Sequence, residues 1–137
     1  MEEFNGEKIA NGDVLKTQSK LFVYHYAIYF NENGIDKVVH NSSSKSVIIQ
    51  TWDDFFEDRK LIDIFETNIS GCSVDFIYEK YNELKDKKFD LTGFNCEDFV
   101  IQFTDTKLKV KQLNLWYSIG FIGLGSYFIF KNFISKK

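Results

Sequence analysis

The sequence predicts an α+β domain, a small antiparallel sheet packed on helices, followed by one C-terminal transmembrane helix. Three observations carry that expectation. Residues 21–30 and 35–41 are runs of aromatic and β-branched residues joined by Asn31-Glu32-Asn33-Gly34, a hairpin signal. Ser73 and Asn95 each precede a stretch whose apolar residues recur at helical spacing. Residues 112–130 carry no charge at all. In a chain of 137 residues this gives one folded domain, expected at residues 1–106, and an anchor at 107–137.

Taken in order, the turn signal Asn11-Gly12 leads into a short strand over residues 13–17. Residues 21–30 form the clearest strand, and 35–41 return as its partner. With a loop at residues 31–34, Phe30 pairs with Ile35 and His25 faces His40 directly, with Cβ atoms about 4.5–5.5 Å apart. A two-residue Asn33-Gly34 turn instead sets His40 opposite Ala27. The histidines then still share a sheet face, because positions 25 and 27 have the same parity. Residues 47–51 read as a third strand. Thr51 then caps a short helix through Phe56, with Asp54 at its third position.

Ser73 caps a longer helix with the stripe Val74, Ile77, Tyr78, Tyr81 and Leu84, and residues 89–91 read as a brief extended piece. Asn95 caps the helix that opens at Cys96, with Asp98 placed for a capping box. On that helix Cys96, Phe99, Val100 and Phe103 form one apolar face, so the sulfur points toward the sheet that carries the histidines.

Composition excludes some classes. A net charge of −3 and scattered lysines argue against nucleic acid as a partner. The N-terminal stretch MEEFNGEKIANGD has no basic, apolar pattern of a targeting signal. Two cysteines in such a chain fit a reducing compartment. A Cys72–Cys96 disulfide is formally open but would consume the better nucleophile.

The uncharged run of about 19 residues would span roughly 28 Å as a helix, enough to cross a bilayer. Trp116, Tyr117 and Tyr127 lie near its ends, with Lys107, Lys109 and Lys111 before it and Lys131, Lys136 and Lys137 after it. A buried core helix is the alternative.

A thiol is a nucleophile as the thiolate, and a helix N-terminus or a neighbouring imidazole lowers its pKa. Cys96 in NCEDFV, with His25 and His40 upstream, therefore reads as a cysteine–histidine acyl-transfer centre. Glu97 and Asp98 oppose a low thiol pKa, so a reactive Cys96 requires the imidazole and the helix dipole to dominate. The same three residues could bind zinc, but they lack the close ligand pairs of zinc modules. Cys72, in SGCSVD, has no partner placed for it and reads as a small buried hydrophobe.

These pieces resemble the lecithin:retinol acyltransferase (LRAT)-like family, a permuted branch of the NlpC-type papain-like superfamily. NGDVL at 11–15, HYAIYF at 25–30, VVH at 38–40, TWDDFF at 51–56 and GFNCEDFV at 93–100 occur in the family's order over about 90 residues. The terminal apolar run is also found in its small tail-anchored phospholipase and acyltransferase members. Asp98 stands where the family's box usually has histidine, Asn11 where proline commonly precedes GD, and Tyr26 where tryptophan often follows the first histidine.

The resemblance implies that Cys96 is the nucleophile, His25 the general base and His40 the group that orients His25. It implies a permuted papain-like fold and a cysteine-dependent acyltransferase or phospholipase A acting on glycerophospholipid esters through a thioester, without a cofactor or metal. Partners would be a phospholipid acyl donor, an amine, hydroxyl or water acceptor, and the membrane that holds the C-terminal helix, with the catalytic domain in the cytoplasm. Two other classes stay open: an NlpC-like cysteine peptidase or amidase, and a non-catalytic membrane-anchored interaction module.

Overall fold

A computed structural model of the chain describes residues 3–4, 6–106, 121–122 and 124–125. The chain divides into two units, Met1–Lys107 and Leu108–Lys137. In the first, β1 (Glu3–Phe4) and β2 (Glu7–Lys8) form a small antiparallel ribbon. The main sheet follows: β3 (Val14–Ser19), β4 (Tyr24–Glu32), β5 (Ile35–Ser42), β6 (Ser46–Thr51) and β7 (Arg59–Phe65). Its strand order is β6-β5-β4-β3-β7, antiparallel throughout. Helix α1 (Trp52–Phe55) links β6 to β7, and α2 (Val74–Leu84) and α3 (Cys96–Thr104) come after the sheet.

The expected α+β class with an antiparallel sheet packed on helices is what the chain adopts. Residues 26–30 are all buried because both faces of the sheet are covered, which is why the run YAIYF shows no polar alternation. One face carries Leu15, Ala27, Tyr29 and Val38 against Ile9 and Phe55 of α1. The other presents Ile28, Phe30 and Val39 on the side of α2 and α3, where the Phe30 and Tyr78 ring centroids are 5.8 Å apart. Burying each such side chain contributes about 1.5–3 kcal/mol.

The structure decides one open alternative and changes details elsewhere. The β4–β5 hairpin has the two-residue turn, with Asn33 at φ 53° and Gly34 at φ 85°, so Glu32 pairs with Ile35 and His40 with Ala27. Of the two registers the sequence allows, the one with the histidines on a diagonal of the same face is adopted. Strand β4 starts at Tyr24 and not at Leu21, because residues 20–23 form the β3–β4 turn, with Phe22 at φ 61°. The brief extended piece read at 89–91 is reduced to a single bridging residue, Asp90. It closes a loop through an isolated Asp90–Phe94 bridge with hydrogen bonds of 2.9 and 2.7 Å. Strand β7 was not expected at all, and it completes the sheet on the far side of β3.

A joint between distant segments closes the side of the sheet near Asn11. The Gly71 N–H donates to the Asn11 carbonyl at 2.6 Å, the Thr67 hydroxyl to the Gly12 carbonyl at 2.8 Å, and the Ser70 hydroxyl to the Asp13 carboxylate. Gly12 has φ +91°, and a Cβ there would meet the Ile69 carbonyl oxygen at 2.5 Å. The Asn11-Gly12-Asp13 segment is thus a structural joint.

Among the described residues no helix is long and apolar enough to cross a membrane. The expected anchor at 107–137 lies almost wholly outside them. The described part of the second unit is two short strands, β8 (Phe121–Ile122) and β9 (Leu124–Gly125).

Candidate active site

Helix α3 opens at Cys96 because Asn95 holds its first turn. The Asn95 side chain accepts from the Glu97 and Asp98 N–H groups, both at 3.0 Å, and the Asp98 carboxylate accepts from the Asn95 N–H at 3.2 Å. The capping box read from the sequence is present, with Asp98 as its carboxylate. Two further bonds fix the approach to the helix. Asn95 Nδ2 donates to the Leu91 carbonyl at 3.0 Å, and Asn41 Nδ2 donates to the Phe94 carbonyl at 2.9 Å. Asn41 is buried and follows His40 on β5, so this bond ties the start of α3 to the histidine strand.

The β4–β5 ladder ends at Ala27–His40, and one residue further along β4 the Tyr26 backbone N–H favours the Cys96 thiolate. Cys96 is 6 % exposed. Burial pushes its thiol up to about 11, against the backbone N–H groups of Tyr26, Cys96 and Glu97, and the Glu97 carboxylate adds to the rise. The depressed thiol expected of a helix N-terminus is therefore not found: desolvation outweighs the dipole. The resting sulfur is a protonated thiol.

Strand alternation sends the His25 and His40 side chains to the α1 side, while Tyr26 and Asn41 face α3. The Phe55 ring of α1 accordingly lies 6.1 Å from the His25 ring and 4.8 Å from the His40 ring, centroid to centroid. Helix α3, which opens at Cys96, packs on β4 and β5, the strands that carry the two histidines. The hydrogen bond of the His25 ring goes to the second histidine: His25 Nε2 and His40 Nδ1 are 3.0 Å apart. His40 Nε2 lies 2.7 Å from Gln50 Oε1, so three side chains form one line.

Both imidazoles are neutral at pH 7. Burial holds His25 well below 6.5, helped by His40 and Arg59. Burial also lowers His40 to about 4, with Gln50 opposing and Arg59 adding to the drop. The polarity of the line follows. With Gln50 presenting its oxygen, His40 Nε2 carries the proton and His40 Nδ1 accepts. His25 Nε2 must then be the donor, which leaves His25 Nδ1 as an unprotonated base.

Arg59 completes the surroundings. Its guanidinium lies 4.6 Å over the Phe55 ring, its Nε is 4.0 Å from the Asp58 carboxylate, and it acts electrostatically on Cys96 and both histidines. The Tyr26 side chain is fully buried on the α3 side, where Glu97 and Cys96 raise its phenol further above the usual range than burial alone. Its hydroxyl has no hydrogen-bond partner among the described residues.

The structure thus brings His25 and His40 into contact and packs the helix that opens at Cys96 on the two strands that carry them. Cys72 stands apart as a half-buried free thiol whose carbonyl accepts from Asn11 Nδ2 at 3.2 Å. Among the described residues no three His, Cys, Asp or Glu side chains are grouped to hold a metal ion. Gln50 and Arg59 were not anticipated. Gln50 could have been found as the polar residue inside the apolar strand VIIQT, two positions from Ile48, which pairs with His40. No local pattern singles out Arg59, because it enters the site through a strand that the sequence did not reveal.

The chain matches no protein-family model, no curated protein and no solved structure.

Proposed function

We propose that the chain is a cysteine-dependent acyltransferase or phospholipase A of the LRAT-like type, acting on glycerophospholipid esters through a thioester on Cys96. The observation that carries this reading is the His25–His40–Gln50 line, which leaves one imidazole nitrogen basic on strands that also pack on the capped helix opening at Cys96. A thiol at about 11 together with neutral imidazoles favours general-base activation at the moment of attack over a standing ion pair.

In the first half-reaction His25 Nδ1 takes the thiol proton as the sulfur bonds to the ester carbonyl carbon. The Cys96 backbone N–H, at the open end of α3, stabilises the developing oxyanion. The intermediate collapses, the C–O bond breaks, and the lysophospholipid oxygen leaves with the proton held by His25. In the second half, His25 deprotonates water, an amine or a hydroxyl, which attacks the thioester and returns the sulfur as a thiol. His40 keeps the His25 ring in the productive tautomer, and Gln50 does the same for His40. No cofactor takes part. A C-terminal anchor at 107–137, with the catalytic domain in the reducing cytoplasm, would keep this site at the lipid surface and raise its local substrate concentration.

The test is to incubate purified protein with acyl-labelled phospholipid and map the adduct. Label should appear on the Cys96 peptide and be released by hydroxylamine. Cys96→Ala should remove label and turnover together, and Cys72→Ala should leave both nearly intact. Turnover by Cys96→Ala rules the mechanism out. Absence of any acyl adduct with ester or amide donors leaves the interaction module as the better reading.

A further inference from the structure

The β3–β4 turn carries a feature that the acyl-transfer chemistry does not use. Leu21 and Phe22 are 83 % and 76 % exposed, and both sit at the tip of one tight turn. The turn is firmly built. Its Val23 carbonyl accepts from the Ser19 N–H at 3.0 Å, and its Phe22 N–H donates to the Ser19 carbonyl at 3.0 Å. The Ser19 hydroxyl accepts from the Leu21 and Val23 N–H groups at 3.2 and 3.3 Å. Phe22 takes φ 61°, a conformation that favours glycine, yet the position is occupied by a large apolar ring held out in solvent. Single exposed apolar residues are ordinary, but two adjacent ones on a rigid protrusion are not explained by the fold.

The charge around the tip has a matching character. Lys20 precedes the two apolar residues. Arg59 and Lys60 pair across the ladder with Ser19 and Gln18. Residues 18–20 and Phe22 on one side and 57–60 on the other bound a cleft of about 350 Å³. Its three cations face two carboxylates, Glu57 and Asp58, and Asp58 is matched to Arg59. Lys20 and Lys60 against Glu57 leave the tip a net positive collar. The cleft runs from the tip to Arg59, whose guanidinium stacks on the ring that touches both histidines.

We infer that the 20–23 turn is a membrane-docking tip: Leu21 and Phe22 enter the headgroup region of a phospholipid surface while Lys20 and Lys60 meet its anionic headgroups. A short apolar wedge with a basic collar fits an interface that is apolar inside and negatively charged outside. His25 is three residues beyond Phe22, so docking by this turn sets the cleft and the histidine end of the sheet against the lipid. The inference deepens the proposed function by assigning the surface that meets the substrate, and its orienting role rests on that proposal.

The test reads the tip itself. Full-length Phe22→Cys in a Cys72→Ser background is labelled with an environment-sensitive fluorophore. An Ile35→Cys chain serves as control, since Ile35 is 52 % exposed at the turn that ends β4, away from the turn that begins it. Buried Cys96 stays in place, and the background without an added cysteine supplies the blank. With vesicles of phosphatidylcholine and phosphatidylserine, emission from position 22 should shift to the blue and be quenched by lipid-borne quenchers. Lys20→Glu or high salt should reduce the change, and position 35 should stay aqueous. Position 22 remaining aqueous on vesicles overturns the inference. A concentration-dependent blue shift without lipid overturns it too, in favour of a second copy covering the tip. Turnover plays no part in this readout, so insertion at position 22 without a Cys96 adduct would sink the enzyme proposal and leave the docking tip standing.

Discussion

The hydrogen bond between His25 and His40 crosses the β4–β5 ladder diagonally, because His40 stands opposite Ala27 and not opposite His25. The diagonal offset brings Nε2 of one ring to Nδ1 of the other with the rings nearly perpendicular, at 89°. His40 thereby has its second nitrogen free to reach Gln50. Direct opposition would place the two Cβ atoms closest and leave less room for an edge-on approach.

Losing the proposed base should be far more damaging than losing its supports. His25→Ala should reduce kcat/KM by on the order of 10²–10⁴-fold or more, close to the loss in Cys96→Ala, because such groups act as a unit. His40→Gln keeps a hydrogen-bonding group beside the ring and should retain part of the rate. Gln50→Leu should lower kcat with KM little changed, since it releases the tautomer and not the substrate. Steady-state kinetics of the four variants decide the matter. An indispensable His40 with a tolerant His25 would mean that base and orienter are exchanged.

Acid should destabilise the fold through the histidines before most carboxylates titrate. His40 has a folded pKa of about 4 against 6.5 when unfolded, so the unfolded chain binds the proton first as pH falls. Stability should be level above pH 6.5, decline between pH 6.5 and 4, and lose on the order of 3 kcal/mol from this group. His25 is shifted in the same direction and adds to the decline. Urea unfolding at pH 7.5, 6, 5 and 4 measures the slope, and His40→Gln should flatten it.

Arg59 is placed to keep both imidazoles uncharged and to favour the thiolate as it forms. Arg59→Gln should move the acid limb of kcat/KM to higher pH and lower the plateau, while Arg59→Lys should restore most of the limb's position. An Arg59 that serves only in packing on Phe55 would affect stability without moving the limb, and imidazole NMR titration separates the two outcomes.

Truncation after Lys111 should give a soluble, folded domain that cleaves micellar or short-chain esters and turns over bilayer lipid poorly. Full-length protein should resist extraction from membranes by alkaline carbonate. Release by carbonate, or unfolding of the truncated domain, would show that residues 112–130 belong to the core.

Local chemistry made much of the architecture legible in the sequence. Thr51, Ser73 and Asn95 all act as helix caps, and Cys96 opens its helix as its box suggests, because a cap is a short-range arrangement of a few residues. The hairpin was readable, but its register was not decided, since the four polar residues 31–34 allow a long or a short loop. Strand β7 was missed because RKLIDIF is a half-exposed edge strand with neither a continuous apolar run nor a clean alternation. The state of the thiol was missed for another reason. A helix N-terminus can be read from residue types, whereas the burial that outweighs it depends on how the α3 start seats against Tyr26 and Asn41.

The Asn11-Gly12-Asp13 joint has a consequence for the time course of folding. Its bonds to Thr67, Ser70 and Cys72 span 55, 57 and 61 residues, so a large loop must close before any of them is gained. The β3–β4, β4–β5 and β5–β6 hairpins need far shorter closures and can assemble without it. The joint should then act as a latch that closes after the hairpins have formed. Gly12→Ala, forced against the Ile69 carbonyl, should leave the refolding rate almost unchanged and speed unfolding, so the latch governs how long the native state lasts rather than how quickly it is reached.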